Sequence, residues 1–506
     1  MKKLVSLLLC AILVFACMGT ALAEHVNFSM TSYNTITGVD YTSDDFYKFL
    51  ADKFDVTIDI WGNGADGASE RERTWMINGG MPDAMIWESF NYGEYCDYVD
   101  QGVLKPLPQG WQEKWPNLNK LVQVSGMAEA LEIDGETYAI PHSVFGNYMD
   151  MYPIPSHFSI TFRYDLACKV GMENLGDDAT MTLSELRAYL EALRDLPDED
   201  KIALPCIADN TSNTLALFYY PLNVNNRTYR SDETGYHWIF ENPSDWTEVL
   251  TTMQDWYKNG LIDADFFQKT YSDYRNLLTS GQLAAICDSG DCVNLNGYRK
   301  MYKAAFPDRD PYNDLHIAAI TSEDGKAYAV QAGNYWTMQL FAPETDDATL
   351  ERILDVMDYI ASMEGEAACQ IGVPGVDWKY DDEGKIEIIN AGVTYPSQEP
   401  LYLLGYCSDD FAYSGARTTI DIRDVEEVRA VYAKKVEAGL VKYETEYQTY
   451  SSPLRNQYSL DTNAILAQIV VNGLDPESTL QQFADENVNI WKPLQEELNQ
   501  VFGYTK

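Results

Sequence analysis

The sequence is short of basic residues. Its 506 residues include 36 Lys and Arg against 78 Asp and Glu, which gives a formal net charge of −42 at pH 7. A field of that sign repels phosphate backbones and anionic lipid head groups. The composition therefore argues against a nucleic-acid-binding protein and against direct binding to a membrane surface.

Histidine is scarce, and the common catalytic motifs are absent. None of the five histidines lies in a metal-ligand spacing such as H-E-x-x-H, so we predict no metal site. The chain contains no G-x-S-x-G, S-x-x-K or Walker A motif, which removes the usual signatures of serine hydrolases and nucleotide hydrolases. Pairs of carboxylates arise by chance in so acidic a chain and identify no glycosidase. We expect no enzyme, no catalytic residue and no cofactor.

Long apolar runs are absent after the N-terminus. Residues 4–15 follow two lysines and are too few to span a bilayer, and an A-x-A motif ends at Ala23. This pattern is typical of a signal peptide, residues 1–23, cleaved before Glu24. Residues 14–17 (V-F-A-C) approximate a lipoprotein box, so a lipid anchor at Cys17 is the alternative and the one membrane attachment we expect. Either route places the protein outside the cytoplasm.

Two further segments suggest binding sites that we set aside. Residues 62–67 (G-N-G-A-D-G) match G-x-G-x-x-G, but they follow the second predicted strand of an exported chain, so a glycine-rich surface loop explains them better than a dinucleotide site. Residues 308–314 are acidic, yet Pro311 breaks the EF-hand spacing and no Glu closes the loop. We expect a solvated acidic turn there.

Cysteine gives little constraint, whereas aromatic residues are abundant. Seven of the nine cysteines follow residue 23, an odd number without regular spacing, which argues against a disulfide framework. Cys287 and Cys292 could close a small loop, or all seven could be free thiols.

Aromatic residues make up 13% of the chain, with 35 Tyr. Their apolar faces and polar tips suit a wet ligand of mixed polarity.

Short β-rich runs alternate with amphipathic helical runs, as in α/β domains. Residues 26–30 and 56–61 read as strands on either side of a helix over 44–53. Residues 182–185 (T-L-S-E) form a capping box. Trp246 and Trp256 lie on the apolar face of one predicted helix, so we expect them in a core. Pro493 should interrupt or kink a helix that begins near residue 478.

Six segments, in order, resemble the extracellular solute-binding proteins of ABC importers, family 1, in the carbohydrate-directed branch. They are 76–87 (M-I-N-G-G-M-P-D-A-M-I-W), 98–107 (Y-V-D-Q-G-V-L-K-P-L), 134–141 (D-G-E-T-Y-A-I-P), 162–165 (F-R-Y-D), 256–263 (W-Y-K-N-G-L-I-D), and 364–365 (E-G) with 372–378 (G-V-P-G-V-D-W). The set is specific, although any one member would not be.

The resemblance implies a two-lobe α/β fold of the periplasmic-binding-protein type II. Its discontinuous lobes are joined by a multi-strand hinge and close around a ligand presented to a membrane permease. We expect lobe 1 to comprise residues 24–155 and 328–375, and lobe 2 residues 156–327 and 376–506. The implied partners are a carbohydrate and the subunits of an ABC permease, and we expect a monomer.

The sequence departs from the family pattern in two places. Many relatives carry an acidic, calcium-like loop where this chain has only residues 197–201 (P-D-E-D-K), so no structural calcium is predicted. The aromatic strand end of relatives, W-I-R, reads T-F-R at 161–163 here. The aromatic residue is therefore shifted by one position relative to the family pattern.

Ligands in open α/β sheets bind beyond the carboxyl ends of strands. On that rule we predict ligand contacts from residues that follow predicted strands or lie at a lobe crossing: Trp87, Glu88, Tyr92, Arg163, Asp288, Ser289, Asn334 and Trp336. Trp378 joins them by the family resemblance alone. Indole and phenol rings stack on the C–H face of a pyranose, while carboxylates and guanidinium groups bind its hydroxyls. For Arg163 a structural ion pair is the alternative, and for each Trp it is core packing.

Three functions remain in view from the sequence. The first is a non-enzymatic receptor that binds a sugar or oligosaccharide and delivers it to an ABC importer. The second is the same scaffold with a peptide, a nucleoside or a sugar acid as ligand. The third is an exported glycoside hydrolase, for which the sequence nominates no acid and no nucleophile.

Overall fold

The chain forms two α/β lobes, which we describe from a computed structural model. The structure describes residues 25–504 apart from 33–34, 36–37, 65–66, 89, 144–157, 223, 225–226, 325–328, 331–334, 406–419 and 442–444. The signal peptide, Cys17, Asn334 and Cys407 therefore lie outside the described residues.

The strands of the described residues are numbered in chain order. They are β1 Val26–Thr31, β2 Val56–Trp61, β3 Ala84–Trp87, β4 Glu132–Ile133, β5 Glu136–Thr137, β6 Ala139–Ser143, β7 Phe158–Arg163, β8 Thr180–Thr182, β9 Leu204–Ala208, β10 Tyr229–Asp232, β11 Gly235–Trp238, β12 Leu283–Ser289, β13 Leu315–Thr321, β14 Ala329–Val330, β15 Tyr335–Phe341, β16 Trp378–Tyr380, β17 Ile386–Ile388 and β18 Leu440–Val441.

The α-helices are numbered in the same way. They are α1 Asp45–Phe54, α2 Ala68–Asn78, α3 Tyr92–Asp100, α4 Trp111–Lys114, α5 Pro116–Ser125, α6 Ala128–Leu131, α7 Tyr164–Lys169, α8 Leu183–Arg194, α9 Thr211–Tyr219, α10 Thr247–Lys258, α11 Tyr271–Thr279, α12 Cys292–Ala305, α13 Pro311–Asp314, α14 Asp347–Ile360, α15 Met363–Ile371, α16 Gln398–Gly405, α17 Ile422–Ala438, α18 Thr445–Gln448, α19 Pro453–Asn456, α20 Thr462–Asn472, α21 Pro476–Glu486 and α22 Val488–Val501. Two short 3₁₀ turns occupy Asp198–Asp200 and Pro243–Trp246.

The first lobe surrounds a five-stranded sheet of order β2-β1-β3-β15-β6. Strands β1, β2 and β3 are parallel, whereas β15 is antiparallel to β3 and to β6. The carboxyl ends of β1, β2 and β3 and the amino end of β15 therefore lie at one edge of the sheet. All four residues of β3 are buried, as expected for a strand covered on both faces.

The second lobe has a sheet of the same size, in the order β8-β13-β7-β12-β9. β12 runs parallel to β9, and β13 runs parallel to β8, while β7 is antiparallel to both of its neighbours. Four strands thus point in one direction and β7 points in the other. The direction of β7 decides where Arg163 lies.

The hydrophobic cores show where each lobe ends. The first-lobe core includes Trp378, Leu401 and Leu404, which pack with β1 and α14. The second-lobe cores take residues from 160 to 320 and again from Ile420 onward. The last crossing between the lobes therefore follows residue 405. The predicted boundary at 375/376 is about 30 residues too early because the segment that carries Trp378 buries its apolar side chains in the first lobe.

Several local predictions are confirmed. Thr182 and Glu185 form the capping box that begins α8. Trp246 and Trp256 are buried in the second-lobe core. The structure differs at the C-terminal helices, because the chain changes helix at Asn487 and Pro493 lies inside α22. Pro493 is the sixth residue of that helix, so it removes the hydrogen bond that its N–H would have made to the Asn489 carbonyl, yet the helix continues through it to Val501.

The cysteines and the acidic turn have ordinary structural explanations. Cys287 and Cys292 are both buried, and no disulfide joins the cysteines that the structure describes. In the acidic turn, Asp310 caps α13 by accepting the Tyr312 N–H at 3.1 Å. Asp314 pairs with Arg309 at 2.7 Å. Across the described ranges, no helix is long and apolar enough to cross a membrane.

Candidate functional site

Two buried carboxyl groups lie at the edge of the first-lobe sheet where β1, β2 and β3 end. Glu88 follows β3 directly. Glu72 projects from α2, is fully buried, and accepts hydrogen bonds from the Asn63 amide at 2.9 Å and from the Glu88 backbone N–H at 3.1 Å. Asn63 also accepts from Arg71 at 3.2 Å. The glycine-rich loop after β2 therefore holds a carboxylate in place.

Burial shifts the protonation of both groups in the same direction. Loss of solvent raises the pKa of Glu72, and the bonds from Asn63 and Glu88 offset part of that rise. Burial, followed by the charge of Glu72, raises the pKa of Glu88 to about 7. The Glu88 carboxylate is half-buried and has no hydrogen-bond partner among the described residues. It is available to a ligand.

The second-lobe sheet presents a matching pair at the carboxyl ends of β9 and β12. Asp209 follows β9 and is 1% exposed. Its Oδ1 accepts from the Asn210 N–H at 2.6 Å and from the Asn213 amide at 3.1 Å, while its Oδ2 has no hydrogen bond among the described residues. Burial, followed by the charge of Asp288, raises the pKa of Asp209 to about 8.

Asp288 is the better-satisfied member of this pair. Its Oδ2 accepts from the Tyr298 hydroxyl and from Arg275 Nε, the latter at 3.2 Å. The Arg275 guanidinium lies 3.5 Å from the ring centroid of Tyr271, which fixes the arginine. Asp288 is held by its neighbours, whereas Asp209 Oδ2 has no hydrogen-bond partner in the described part of the chain.

A buried lysine lies at the same edge of the second lobe. Lys435, on α17, donates to the carbonyl of Phe158 and to the Ser159 hydroxyl, the latter at 2.7 Å. These two residues begin β7, which enters the sheet at this edge. Burial lowers the pKa of Lys435 to about 7.

The remaining predicted residues at these edges are Tyr92, Ser289 and Trp336. Tyr92 is half-buried, begins α3, and has its ring 6.1 Å from that of Tyr95. Ser289 is half-buried at the end of β12, opposite Phe158. Trp336 is part-exposed near the amino end of β15, on the same edge as Glu88. Asn334 lies outside the described residues.

Arg163 lies at the opposite edge of the second-lobe sheet. Because β7 is antiparallel, its carboxyl end is opposite Leu315, the first residue of β13. Arg163 is 4% exposed and donates to Asp165 at 2.7 Å and to the Gly281 carbonyl at 3.1 Å. The expected position beyond a cleft-facing strand end is therefore wrong, and the alternative of a structural ion pair describes the side chain.

Two of the predicted tryptophans have no exposed surface. Trp87 is fully buried, with its ring 5.3 Å from Phe90 and 5.7 Å from Tyr98. Trp378 is 1% exposed, and its Nε1 donates to the Gly372 carbonyl at 2.9 Å. Core packing, the alternative for each Trp, describes both rings in this conformation. Their contact with a ligand stays a prediction without an exposed face to support it.

The sequence prediction missed Glu72, Asn63, Asp209 and Lys435. Asp209 had a usable signal, since it follows the apolar strand β9 as Glu88 follows β3. Glu72 and Lys435 lie on helices with no local mark of their position. Within the described residues, no group of three or more His, Cys, Asp or Glu side chains is arranged to hold a metal ion.

Comparison with known proteins gives a likeness of fold. No protein-family model matches the sequence, and no curated protein matches it. Among solved structures, the alginate-binding protein AlgQ2 without calcium ion is similar with a TM-score of 0.67 and 16% identity, covering 94% of this chain and 98% of AlgQ2.

Two other solved structures cover nearly the whole chain. The substrate-binding protein FusA of Streptococcus pneumoniae, an EF-hand mutant in complex with fructo-nystose, has a TM-score of 0.64 and 14% identity over 95% of this chain and 100% of FusA. An extracellular solute-binding protein from Bifidobacterium longum subsp. infantis has a TM-score of 0.58 and 13% identity over 96% and 97%. The chain therefore has the two-lobe α/β fold of the extracellular solute-binding proteins.

Proposed function

We propose that this protein is the exported substrate-binding component of an ABC importer, which binds a sugar or oligosaccharide between its lobes and delivers it unchanged to a membrane permease. The observation that carries the proposal is the pair of carboxyl groups at the strand ends of each lobe: Glu72 with Glu88, and Asp209 with Asp288. In open α/β sheets ligands bind at these ends.

The chemistry of the two edges suits a polyhydroxylated ligand. Sugar hydroxyls donate to carboxylate oxygens, and Glu88 and Asp209 each offer an oxygen that has no partner among the described residues. Part-exposed aromatic rings, such as those of Trp336 and Tyr92, supply faces for the C–H side of a pyranose. Hydrogen-bond acceptors on both lobes stabilise the closed form, because the ligand contacts its full set of partners only when the lobes approach.

The solved structures of similar fold support the carbohydrate class. FusA was solved with kestose and with fructo-nystose, and the N-glycan transport protein NgtS of Streptococcus pneumoniae was solved with Man5GlcNAc. Export, by cleavage after residue 23 or by a lipid at Cys17, would place such a receptor where it meets its ligand and its permease. A monomer with one cleft is sufficient for that role.

The rival ligands are a peptide, a nucleoside and a sugar acid. The four carboxyl groups at the proposed site and the net charge of −42 disfavour a sugar acid, whereas the similarity of fold to the alginate-binding protein AlgQ2 favours one, because alginate is a polymer of sugar acids. Arg71 and Arg275 offset this charge only in part, because both guanidinium groups are already hydrogen-bonded to protein.

One observation favours a glycoside hydrolase as the second candidate. Glu88 and Asp209 have pKa values raised to about 7 and about 8, mainly by burial, which is the state a general acid requires. The two residues belong to different lobes, so a catalytic pair would have to assemble on closure. Incubation with an oligosaccharide distinguishes the functions, because a receptor returns it intact and a hydrolase shortens it.

A thermal-shift screen of residues 24–506 tests the proposal. Neutral mono- and oligosaccharides, peptides and nucleosides are added separately, and a ligand that binds only the folded state raises the melting temperature. We expect one carbohydrate class to do so without being cleaved. A shift with peptides alone, or shortened products, would replace the proposed function by one of its rivals.

A further inference from the structure

The lobes touch where helix α3 of the first lobe meets the short helix α19 of the second. Gly93, in the first turn of α3, is buried beneath the side chain of Asn456. A Cβ built on Gly93 would lie 2.0 Å from Asn456 Oδ1 and 2.7 Å from its Cγ. In this arrangement a Cβ at position 93 would overlap the end of the Asn456 side chain, so either that side chain must turn aside or the lobes must move apart.

Polar contacts surround this close approach. The Asn456 amide donates to Asp97 Oδ1, one turn beyond Gly93, at 3.4 Å. Cys96, on the same helix, lies near Ser451 of the second lobe. Asn456 thus crosses the gap between the lobes and lies against the backbone of α3.

Both sides of the contact are fixed within their own lobes. Asn91 caps α3 by accepting the Glu94 N–H at 3.1 Å. On the other side, the Asn456 N–H donates to the Ser452 carbonyl at 2.9 Å, and the Ser452 hydroxyl donates to Glu497 on α22. A movement of one lobe against the other must therefore change the distance between Gly93 and Asn456.

The contact is also close to the candidate ligand-binding site. Gly93 lies five residues after Glu88, and Tyr92 precedes it directly. A ligand held by Glu88 is thus linked to the start of α3 by a few residues of chain.

We propose that Gly93 and Asn456 form an interlobe latch, two positioning residues that fix how closely the lobes approach and so set the affinity for ligand. The inference rests on the proposed function, since it assumes that closure accompanies binding. Gly93 leaves a space because it has no side chain, and the side chain of Asn456 occupies that space.

Gly93→Ala tests the latch. Alanine is better than glycine within a helix by about 1 kcal/mol, so the first lobe should keep its stability. The added Cβ should hold the lobes apart, which we expect to appear as a larger radius of gyration in X-ray scattering. Affinity for the saccharide found in the screen should weaken about tenfold or more, because a less populated closed form lowers the apparent affinity in proportion.

Gly297→Ala is the matched control. Gly297 lies inside α12, and a Cβ added there meets nothing within 4 Å. The change is chemically the same and also falls in a helix, but it is far from the contact between the lobes. We expect it to leave both the radius of gyration and the affinity unchanged.

The double variant Gly93→Ala/Asn456→Ala provides the rescue. Removal of Oδ1 and Cγ from position 456 clears the atoms that the new Cβ would meet. Restored compactness and affinity would support the latch. An unaltered Gly93→Ala variant, or a defect that the second substitution does not correct, would overturn it. If no saccharide binds the wild-type protein, the proposed function fails, while the scattering data still decide whether the latch exists.

Discussion

The backbone N–H of Glu88 donates to Oε2 of Glu72 at 3.1 Å, and this bond joins the two carboxyl groups of the first lobe into one unit. Glu72 is fully committed, since its other oxygen accepts from Asn63 at 2.9 Å. The Glu88 carboxylate has no partner in the described part of the chain. Glu72 therefore holds the backbone of Glu88 in place, and the Glu88 carboxylate is left to bind a ligand.

Above pH 7, where Glu88 is ionised, Glu88→Gln should weaken ligand binding by about tenfold. A hydrogen bond to a charged acceptor contributes about 1.5–3 kcal/mol, a neutral one about 0.5–1.5 kcal/mol, and 1.4 kcal/mol is a tenfold change in affinity. Titration calorimetry with the saccharide from the screen measures the effect. Glu477→Gln, an exposed change in the first turn of α21, is the control and should bind normally. Wild-type affinity in Glu88→Gln would remove this residue from the site.

Stability should fall as the pH rises from about 4 to about 8. Burial raises the pKa of Asp209 to about 8 and the pKa of Glu88 to about 7. At pH values between the unfolded and the folded pKa of each group, the folded protein therefore binds more protons than the unfolded protein. Their contribution to stability is complete below the unfolded values and is lost as the pH rises through the folded ones. Asp209→Asn should flatten the dependence of melting temperature on pH across the range from about 4 to about 8.

Lys435 should make the stability of the protein rise with pH above about pH 7. Burial lowers its pKa to about 7, so from pH 7 to its ordinary value the folded state binds fewer protons than the unfolded state and stability rises with pH. Lys435→Met should remove that rise and leave the slope below pH 7 in place. A monotonic fall from pH 4 to pH 10 in the wild-type protein would contradict the assignment of Lys435.

Two tryptophans should respond differently to truncation. Trp336 is part-exposed at the sheet edge, so Trp336→Ala should weaken binding and change the melting temperature little. Trp378 is 1% exposed in the first-lobe core, so Trp378→Ala should cost about 3–5 kcal/mol of unfolding free energy. Denaturant unfolding and calorimetry on both variants separate the effects. If Trp378→Ala lost binding without losing stability, the Trp378 ring would be a ligand contact.

The sequence predicted the strand-end residues well where the strand direction was the common one. Glu88 and Asp288 lie at the expected edges because β3 and β12 run parallel to their neighbours β1 and β9. Arg163 was misplaced because a residue at a strand end does not reveal whether the strand is antiparallel, and β7 is. Pairing direction is a property of the sheet, and no local pattern encodes it.

Other differences also depend on long-range packing. Trp378 was assigned to the cleft from a motif, but the segment after residue 375 packs its apolar side chains into the first lobe. Glu72 is indistinguishable from a solvated helix residue until α2 is docked against the loop that carries Asn63. Amphipathic periodicity identified the α10 core face because that pattern is local.

Arg163→Met should lower stability and leave ligand binding intact. The side chain is buried and donates to Asp165 and to the Gly281 carbonyl, so its removal should cost about 2 kcal/mol, with Arg309 still pairing with Asp165. Because Arg163 lies at the far edge of the sheet, the dissociation constant should not change. A large loss of affinity at unchanged stability would show that this edge contacts ligand after all.

Ligand charge should decide affinity more strongly than ligand size. Glu72, Glu88, Asp209 and Asp288 lie at the strand ends that form the proposed site, and a uronate placed among them would meet like charges in a partly buried setting. A neutral oligosaccharide that binds should therefore bind at least tenfold more tightly than the oligomer of equal length and linkage whose C6 carbons are oxidised to carboxylates. Calorimetry at low and high salt measures the difference, which should shrink as salt screens the repulsion. Lowering the pH from about 9 to about 6 should also shrink it, since protonation of Glu88 and Asp209 removes charge from both lobes. Tighter binding of the oxidised oligomer would replace the proposal of a neutral sugar by that of a sugar acid.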